Sequence, residues 1–168
     1  LTTVNSTARM KISQTVSAPD VISPDFLFGK FTNHPATAVA IGPTGILQIE
    51  KLEYLKILHS DNVFLINFLN TLSIDAQKSV IGVLALTNGS LEERISFWVV
   101  ALTQRGSTDI ALQCRQRDFY SLFGVQRSSF ISTLESMRDR GLVEFDQREI
   151  RFLSRSALVD ILTRQPTE

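Results

Sequence analysis

A short polar face on one amphipathic helix carries the side chains whose types could do chemistry. Phe130, Leu134 and Met137 recur at helical spacing and predict the buried stripe of a helix over residues 126–138. The outer positions are short and polar, with one arginine near the helix start: Gln126, Arg127, Ser128, Ser132 and Glu135. Such side chains suit hydrogen bonds to base edges in a DNA groove. They are equally typical of any solvated helix, so the choice between a DNA-reading helix and an ordinary surface helix depends on the surrounding elements.

The elements around this helix follow one another at short intervals. Ser90 and Glu93 form a capping box, which predicts the start of a helix that ends near residue 104. The elements predicted after it are a strand over 109–112, a helix over 116–123, the helix over 126–138, strands over 142–145 and 150–153, and a helix over 156–163. A winged helix-turn-helix has this order of elements: helix, strand, helix, tight turn, helix and hairpin. Gly124 suits the turn, since glycine takes a left-handed conformation freely, and the second helix can then enter a major groove.

The first fifty residues predict β-structure. Residues 9–16 alternate in polarity, and the runs 38–40 and 46–49 are apolar or β-branched and are separated by Gly42, Pro43 and Gly45. These patterns indicate a small antiparallel barrel or roll. The chain begins at Leu1 in the middle of this pattern, so we expect an N-terminal piece to precede it.

Two helices are predicted next, a short one over 51–59 and a long one over 62–86, with Ser60 or Asp61 as the cap of the second. Apolar residues of the long helix recur at spacings of three and four over about three heptads. They include Leu65, Leu69, Leu72, Ala76 and Val83. This seam fits a core helix of one domain, but its length favours a helix that pairs two subunits.

The basic residues are distributed unevenly along the chain. The 168 residues have a formal net charge of zero, yet all five lysines lie at or before Lys78 and eleven of the twelve arginines at or after Arg94. This shift indicates a domain boundary near residue 89. Arginine suits phosphate and base contacts because its planar guanidinium binds bidentately. The shift is equally compatible with a general preference for arginine over lysine on the surface of the second half.

Enzyme and membrane functions find little support in the sequence. There is no glycine-rich phosphate loop, no metal-spaced set of ligands and no nucleophile–base pair beyond Cys114 with distant His34 or His59. A single cysteine excludes an internal disulfide framework and fits a reducing cytoplasm. No apolar run is long enough to span a membrane. We therefore expect a cytoplasmic protein that binds rather than catalyses, with no metal and no resident cofactor.

Several segments together resemble the Crp/Fnr superfamily of bacterial transcription regulators. Phe28-Gly29 and the run 36–40 resemble the end of that family's cyclic-nucleotide-binding β-roll, and 62–86 resembles its dimerisation helix. Residues 90–95 resemble the start of its DNA-binding domain. The most specific match is Phe123-Gly-Val-Gln-Arg-Ser-Ser129, followed by Leu134 and the run 140–144.

The resemblance implies an α+β protein in three parts. Residues 1–60 would be a partial β-roll sensor domain, 61–88 the dimerisation helix, and 89–168 a winged helix-turn-helix domain that binds double-stranded DNA as a homodimer. Its base-reading positions fall on Gln126, Arg127, Ser128 and Ser132, of which Arg127 matches an arginine that reads guanine. Gln116, Arg117 and Ser129 are placed to hold phosphates. A small-molecule effector and RNA polymerase are further partners that the family implies.

Two departures from the family pattern matter. Gly29 is followed by Lys30 rather than glutamate, and residues 30–40 contain no arginine, so the usual cyclic-AMP phosphate cassette is missing and the effector stays unidentified. A lone Cys114 excludes iron–sulfur sensing, and haem binding through His34 or His59 is weakly supported. Tyr120 stands where a small residue usually lets the two helices of the motif approach. The alternative function is a winged-helix module that docks a protein and no longer binds DNA.

Overall fold

The computed structural model describes residues 2–4, 10–34, 36–87 and 89–163, and for 2–4, 78–79 and 81–87 it describes the backbone only. The described chain is α+β. Its helices are α1 (Lys51–Ser60), α2 (Asn62–Thr87), α3 (Leu91–Leu102), α4 (Gln116–Leu122), α5 (Arg127–Asp139) and α6 (Arg155–Thr163). Its strands are β1 (Thr2–Val4), β2 (Lys11–Thr15), β3 (Thr108–Gln113), β4 (Val143–Phe145) and β5 (Glu149–Ser154). A single turn of 3-10 helix covers Pro24–Phe26. No described helix combines the length and the apolarity that crossing a membrane requires.

All five strands belong to one antiparallel sheet in the order β1-β2-β3-β5-β4. The hairpin of β4 and β5 is as predicted, and β5 pairs with β3 so that Phe152 lies opposite Ile110. On its other edge β3 pairs with β2, where Leu112 lies opposite Ile12. The N-terminal strands therefore extend the sheet of the C-terminal half across the predicted boundary at residue 89.

The first sixty residues differ from the predicted partial β-roll. The strand predicted over 9–16 forms as β2, but the runs 38–40 and 46–49 form no strand, and Val39, Ile41, Ile46 and Leu47 are at least 73% exposed. Two glycines and Pro43 lie between these runs, and no strand of the described residues pairs with either run. Within the described part of residues 1–60, the strands are β1 and β2.

The two helices predicted after this segment are confirmed as α1 and α2. Of the two candidate caps, Asp61 does the capping, because its Oδ1 accepts the N–H of Val63 at 2.8 Å. The helix prediction thus succeeds where the strand prediction fails, since a helix satisfies its own backbone groups.

The core lies between the sheet and the helices α3 to α6. Ile95, Val99, Phe119, Phe130 and Leu134 are each fully buried in it. Trp98, Phe119, Phe123 and Phe130 pack edge to face with neighbouring ring centroids 5.3–6.2 Å apart, which adds specific geometry to apolar burial. This aromatic cluster fixes α3, α4 and α5 against one another.

Two details of the predicted C-terminal elements can be checked directly. The capping box is confirmed, since Ser90 accepts from the N–H of Glu93 and the Glu93 carboxylate accepts from the N–H of Ser90. Phe130, Leu134 and Met137 form the buried stripe of α5 as predicted. Leu102, the last residue of α3, is 45% exposed.

Candidate nucleic-acid interface

The outer face of α5 presents the four predicted base-reading side chains to solvent. Gln126 is the N-cap residue, and Arg127, Ser128 and Ser132 follow it on exposed positions. The Gln126 side chain makes no capping hydrogen bond, so the N-cap residue leaves the first N–H groups of α5 without a side-chain acceptor of its own. The face therefore offers backbone and side-chain donors together at the positive end of a helix dipole.

Arg127 makes neither an ion pair nor a hydrogen bond with any residue in the described part of the chain. It borders a shallow, open depression whose other lining residues are Ser128, Ile131, Ser132 and Glu135. An exposed guanidinium without an internal partner keeps its full set of donors for a ligand. The salt bridge that a structural role would provide is not made within the described residues.

The turn between α4 and α5 holds this face in place. Gly124 has φ 63°, the left-handed region that glycine tolerates. The N–H of Gly124 donates to the Ser121 carbonyl at 3.2 Å, and the N–H of Val125 donates to the Tyr120 carbonyl at 3.2 Å. These bonds satisfy the last carbonyls of α4, so the direction in which α5 leaves the turn is well defined.

Arg94 of α3 also holds this turn, and the sequence analysis did not identify that residue. Its Nη2 donates to the Phe123 carbonyl at 2.6 Å, and its guanidinium lies 5.7 Å from the centre of the Phe123 ring. The positive charge thus meets the negative end of α4. The capping box at Ser90 could have pointed to it, because the box fixes where α3 begins and so places Arg94 in the first turns of that helix.

Tyr120 is accommodated without being expelled from the helix pair. It is half-buried, and its ring centroid lies 6.4 Å from that of Phe130 with the planes inclined by 57°. The large side chain is therefore accommodated by packing against the Phe130 ring of α5.

The three predicted phosphate ligands have different surroundings. Arg117 and Ser129 are exposed, one on α4 and one on α5. Gln116 is half-buried, and its Nε2 donates to the Asp146 carbonyl at 2.8 Å. The Gln116 amide N–H₂ thus joins the start of α4 to the tip of the β4–β5 hairpin, which places that tip beside α4.

The hairpin tip is a rigid turn built on Asp146. Its Oδ1 accepts the N–H groups of Arg148 at 2.7 Å and Glu149 at 2.8 Å. These backbone hydrogen bonds, with a smaller contribution from the charge of Arg148, lower the pKa of Asp146 below its ordinary value. The Arg148 carbonyl accepts from the N–H of Cys114 at 3.0 Å, so its backbone is tied to the sheet while its side chain is exposed. Arg148 is a second residue that sequence reasoning did not single out.

Most other exposed cations of this half have carboxylate partners. Arg115 pairs with Asp118, Arg138 with Asp139, Arg140 with Glu92, and Arg151 with Asp109 and Glu149. On the described surface formed by α4, α5 and the hairpin tip, the arginines without an ion pair are Arg117, Arg127 and Arg148. The number of arginines in this half is thus larger than the number whose charge is free to contact a binding partner.

The predicted dimer seam on α2 is partly open. Leu69 is 47% exposed and Ala76 is exposed, whereas Leu65 and Leu72 are half-buried. The side chain of Val83 lies outside the described residues. Ile66 at 53% and Val80 at 64% exposure extend the open apolar face of the helix. The exposed stripe is therefore turned slightly from the predicted seam, because Leu65 and Leu72 turn toward the body of the chain.

The candidate sensor residues His34, Lys30, His59 and Cys114 have different surroundings. Nε2 of His34 lies 2.6 Å from the Ser23 hydroxyl, and Nδ1 lies 2.7 Å from the Ala36 carbonyl, so both ring nitrogens have partners. Lys30 and His59 are exposed. Burial, and secondarily the charge of Asp118, raises the pKa of the Cys114 thiol to about 11, so it is protonated at neutral pH and a poor nucleophile. Within the described ranges, His, Cys, Asp and Glu side chains form no cluster suited to a metal ion.

Comparison with known proteins adds no assignment: no protein-family model matches the chain, and a search of curated proteins finds no match.

Proposed function

We propose that this chain is a sequence-specific DNA-binding transcription regulator that acts as a homodimer, of the type that the Crp/Fnr resemblance implies. The observation that carries the proposal is the exposed outer face of α5, where Arg127 has no partner among the described residues and short polar side chains surround it. In this proposal α3 to β5 form a winged helix-turn-helix. The order of elements, the left-handed Gly124 and the tight turn before α5 support it.

In this arrangement α5 enters the major groove and Arg127 reads a guanine. The guanidinium would donate two hydrogen bonds to O6 and N7, which discriminate against other bases by about 1–3 kcal/mol. Ser128 and Ser132 are short enough to let the helix approach the bases closely, and Gln126 can contact a neighbouring base. The uncapped start of α5 favours a phosphate at the same end of the helix.

Phosphate contacts would come from the surfaces on either side of α5. Arg117 on α4 and Arg148 at the hairpin tip are exposed and unpaired among the described residues. Ser129 can donate its hydroxyl, whereas the bond from Gln116 to Asp146 assigns that residue mainly to holding the tip. A dimer with few free cations neutralises few phosphates and so releases fewer counterions from the DNA than a strongly basic protein does, and the salt dependence of its affinity should be correspondingly smaller.

Dimerisation would use the open apolar face of α2. Exposed Ile66, Leu69 and Val80 lie along this helix, and burying them between two copies removes their apolar area from water. Two copies of α5 related by a twofold axis would then read a pseudo-palindromic site, as paired recognition helices do.

The N-terminal part would serve as a sensor in a bacterial cytoplasm, with RNA polymerase as a partner in activation. Lys30 follows Gly29 and no arginine lies in residues 30–40, so the effector we propose is not cyclic AMP. The alternative, a winged-helix module that docks a protein, predicts dimerisation without affinity for DNA.

Selection from a random-sequence duplex library tests the proposal. The chain is incubated with the library, bound duplexes are amplified over several rounds, and recovered sequences are aligned. We expect a twofold-symmetric motif whose half-sites lie about one helical turn apart. Recovery of no motif at low salt would leave the docking module as the better function, and weak binding to all duplexes alike would contradict sequence specificity.

A further inference from the structure

A cavity of about 690 Å³ lies where the N-terminal segment, α1 and α2 meet the end of α3 and the start of α6. Its walls come from residues far apart in the sequence, among them Val21, Tyr54, Phe68, Thr103 and Arg155. The volume is in the range of small-molecule sites in proteins. This cavity is separate from the outer face of α5 and does not share a residue with it.

Arg155 is the charged group buried in this wall. It is 7% exposed, and its Nη2 donates to the Val100 carbonyl at 3.0 Å. Its Nε is buried and has no hydrogen-bond partner. A buried donor without an acceptor costs stability and calls for a partner from outside the chain. The guanidinium thus retains capacity for an anionic oxygen.

The charges near Arg155 leave its end of the cavity positive. Burial lowers the pKa of Arg155, the charge of Asp75 raises it, and the charge of Arg105 lowers it further. Two guanidinium groups therefore share this end with one carboxylate. The other acidic residues of the lining, Asp20 and Asp25, are exposed to solvent.

Other parts of the lining are apolar and aromatic. Leu58 and Phe68 are buried, and the rings of Tyr54 and Phe68 meet edge to face with centroids 5.9 Å apart. Phe26 and Leu102 also line the cavity. A ligand that fits this site needs an apolar or aromatic body for these walls and a negative group for Arg155.

We propose that this cavity is a binding site for a small organic acid with an apolar or aromatic body, whose carboxylate pairs with Arg155. The body would lie against Tyr54, Leu58 and Phe68, and Arg105 would add its charge at the rim. A carboxylate matches the planar fork of arginine, whose donors are only partly used within the chain. The inference does not depend on DNA binding, since it concerns the protein and a small molecule alone.

Calorimetric titration with a matched pair of probes tests the site. The probes are 1-naphthoate and 1-naphthamide, which share an aromatic body and differ in charge. We expect the 168-residue chain to bind one naphthoate per chain about tenfold more tightly than naphthamide, the effect of one charge-assisted hydrogen-bond pair. Equal affinities, or no binding of either probe at millimolar concentration, would overturn the proposal.

Variants locate the binding event. Arg155→Met should remove the preference for naphthoate, Arg155→Lys should retain part of it, and Arg138→Met, outside the cavity, should leave both affinities unchanged. If Arg155→Met does not fold, Thr71→Trp serves instead, because residue 71 lines the cavity and a large ring there should block both probes. Asn70→Trp is its control, since residue 70 is exposed on the same helix and does not line the cavity. Binding that survives Thr71→Trp would contradict the proposed location.

Discussion

The guanidinium of Arg94 in α3 donates a 2.6 Å hydrogen bond to the carbonyl of Phe123 at the end of α4. Through this bond the first helix of the C-terminal half holds the turn from which the candidate recognition helix departs. Gly124 comes next, so any shift at Phe123 also moves the start of α5. The orientation of the proposed DNA-reading face thus depends on a residue that does not itself lie on that face.

Replacing Arg94 should destabilise the protein as well as the interface. Arg94→Met keeps much of the aliphatic packing but leaves the Phe123 carbonyl without its charged donor. A hydrogen bond to a charged group contributes about 1.5–3 kcal/mol, so we expect the free energy of unfolding to fall by about that amount. Urea unfolding measures it, with Arg127→Met as the control because exposed, unpaired positions usually change stability by less than about 0.5 kcal/mol. Equal stability of Arg94→Met and the parent would contradict the role given to this bond.

Removing the Arg127 side chain should affect DNA binding and leave the fold unchanged. We expect Arg127→Ala to weaken binding to the selected site by about 1–3 kcal/mol, because two hydrogen bonds to guanine are lost. Fluorescence anisotropy with a labelled duplex measures the change, and urea unfolding checks the fold. Arg138→Ala, at the other end of α5, is the matched control. If both variants bind as the parent does, α5 does not read the site through Arg127.

A charge on the open face of α2 should separate the subunits. Leu69→Lys places an ammonium group on an apolar surface that is 47% exposed in the single chain and would be buried in the dimer. Sedimentation equilibrium at micromolar concentration should show a dimer for the parent and a monomer for the variant. Ser136→Lys is the control, since residue 136 is exposed and polar on a different helix, α5. A monomeric parent chain would contradict the proposed dimer.

Asp146 should contribute to the loss of stability in acid. Hydrogen bonds from the N–H groups of Arg148 and Glu149 lower its pKa in the folded protein below the ordinary value of 3.8. A carboxylate with a lowered folded pKa stabilises the fold above its unfolded pKa, and this contribution disappears as the pH falls through the folded value. Between about pH 4 and pH 2 the parent should therefore lose more stability than Asp146→Asn, which cannot gain a proton there. Parallel stability curves from urea unfolding over this pH range would show that Asp146 does not contribute.

The sequence predicts the elements of this protein better than their assembly. Helices α3 and α5 were predictable because a capping box and a stripe of buried side chains are local patterns. The partners of β2 were not, because strand pairing joins residues about a hundred positions apart and Ile12 carries no mark that points to Leu112. The runs around Val39 and Ile46 show the converse error, since β-propensity without a neighbouring strand does not make a sheet.

The candidate site shows the same contrast between local patterns, which were predictable, and contacts between distant residues, which were not. Arg127 and Ser132 could be placed on an exposed helical face from periodicity alone, whereas the unpaired state of Arg127 depends on where every nearby acid lies. Arg94 and Arg148 were missed because their roles arise from contacts across turns. Arg155 and the cavity around it could not be predicted, because they bring together five separate stretches of the chain.

The placement of β2 beside β3 also matters to anyone who divides this chain for expression. A fragment that starts at the apparent boundary near residue 89 would lack β1 and β2, and β3 would become an edge strand with unpaired N–H and C=O groups. Ile110 and Leu112 would lie on that newly exposed margin, a combination that favours strand-to-strand aggregation. A second segment covering β2, supplied as a synthetic peptide, could complete the sheet in such a fragment, so the C-terminal half is a natural candidate for split-protein complementation.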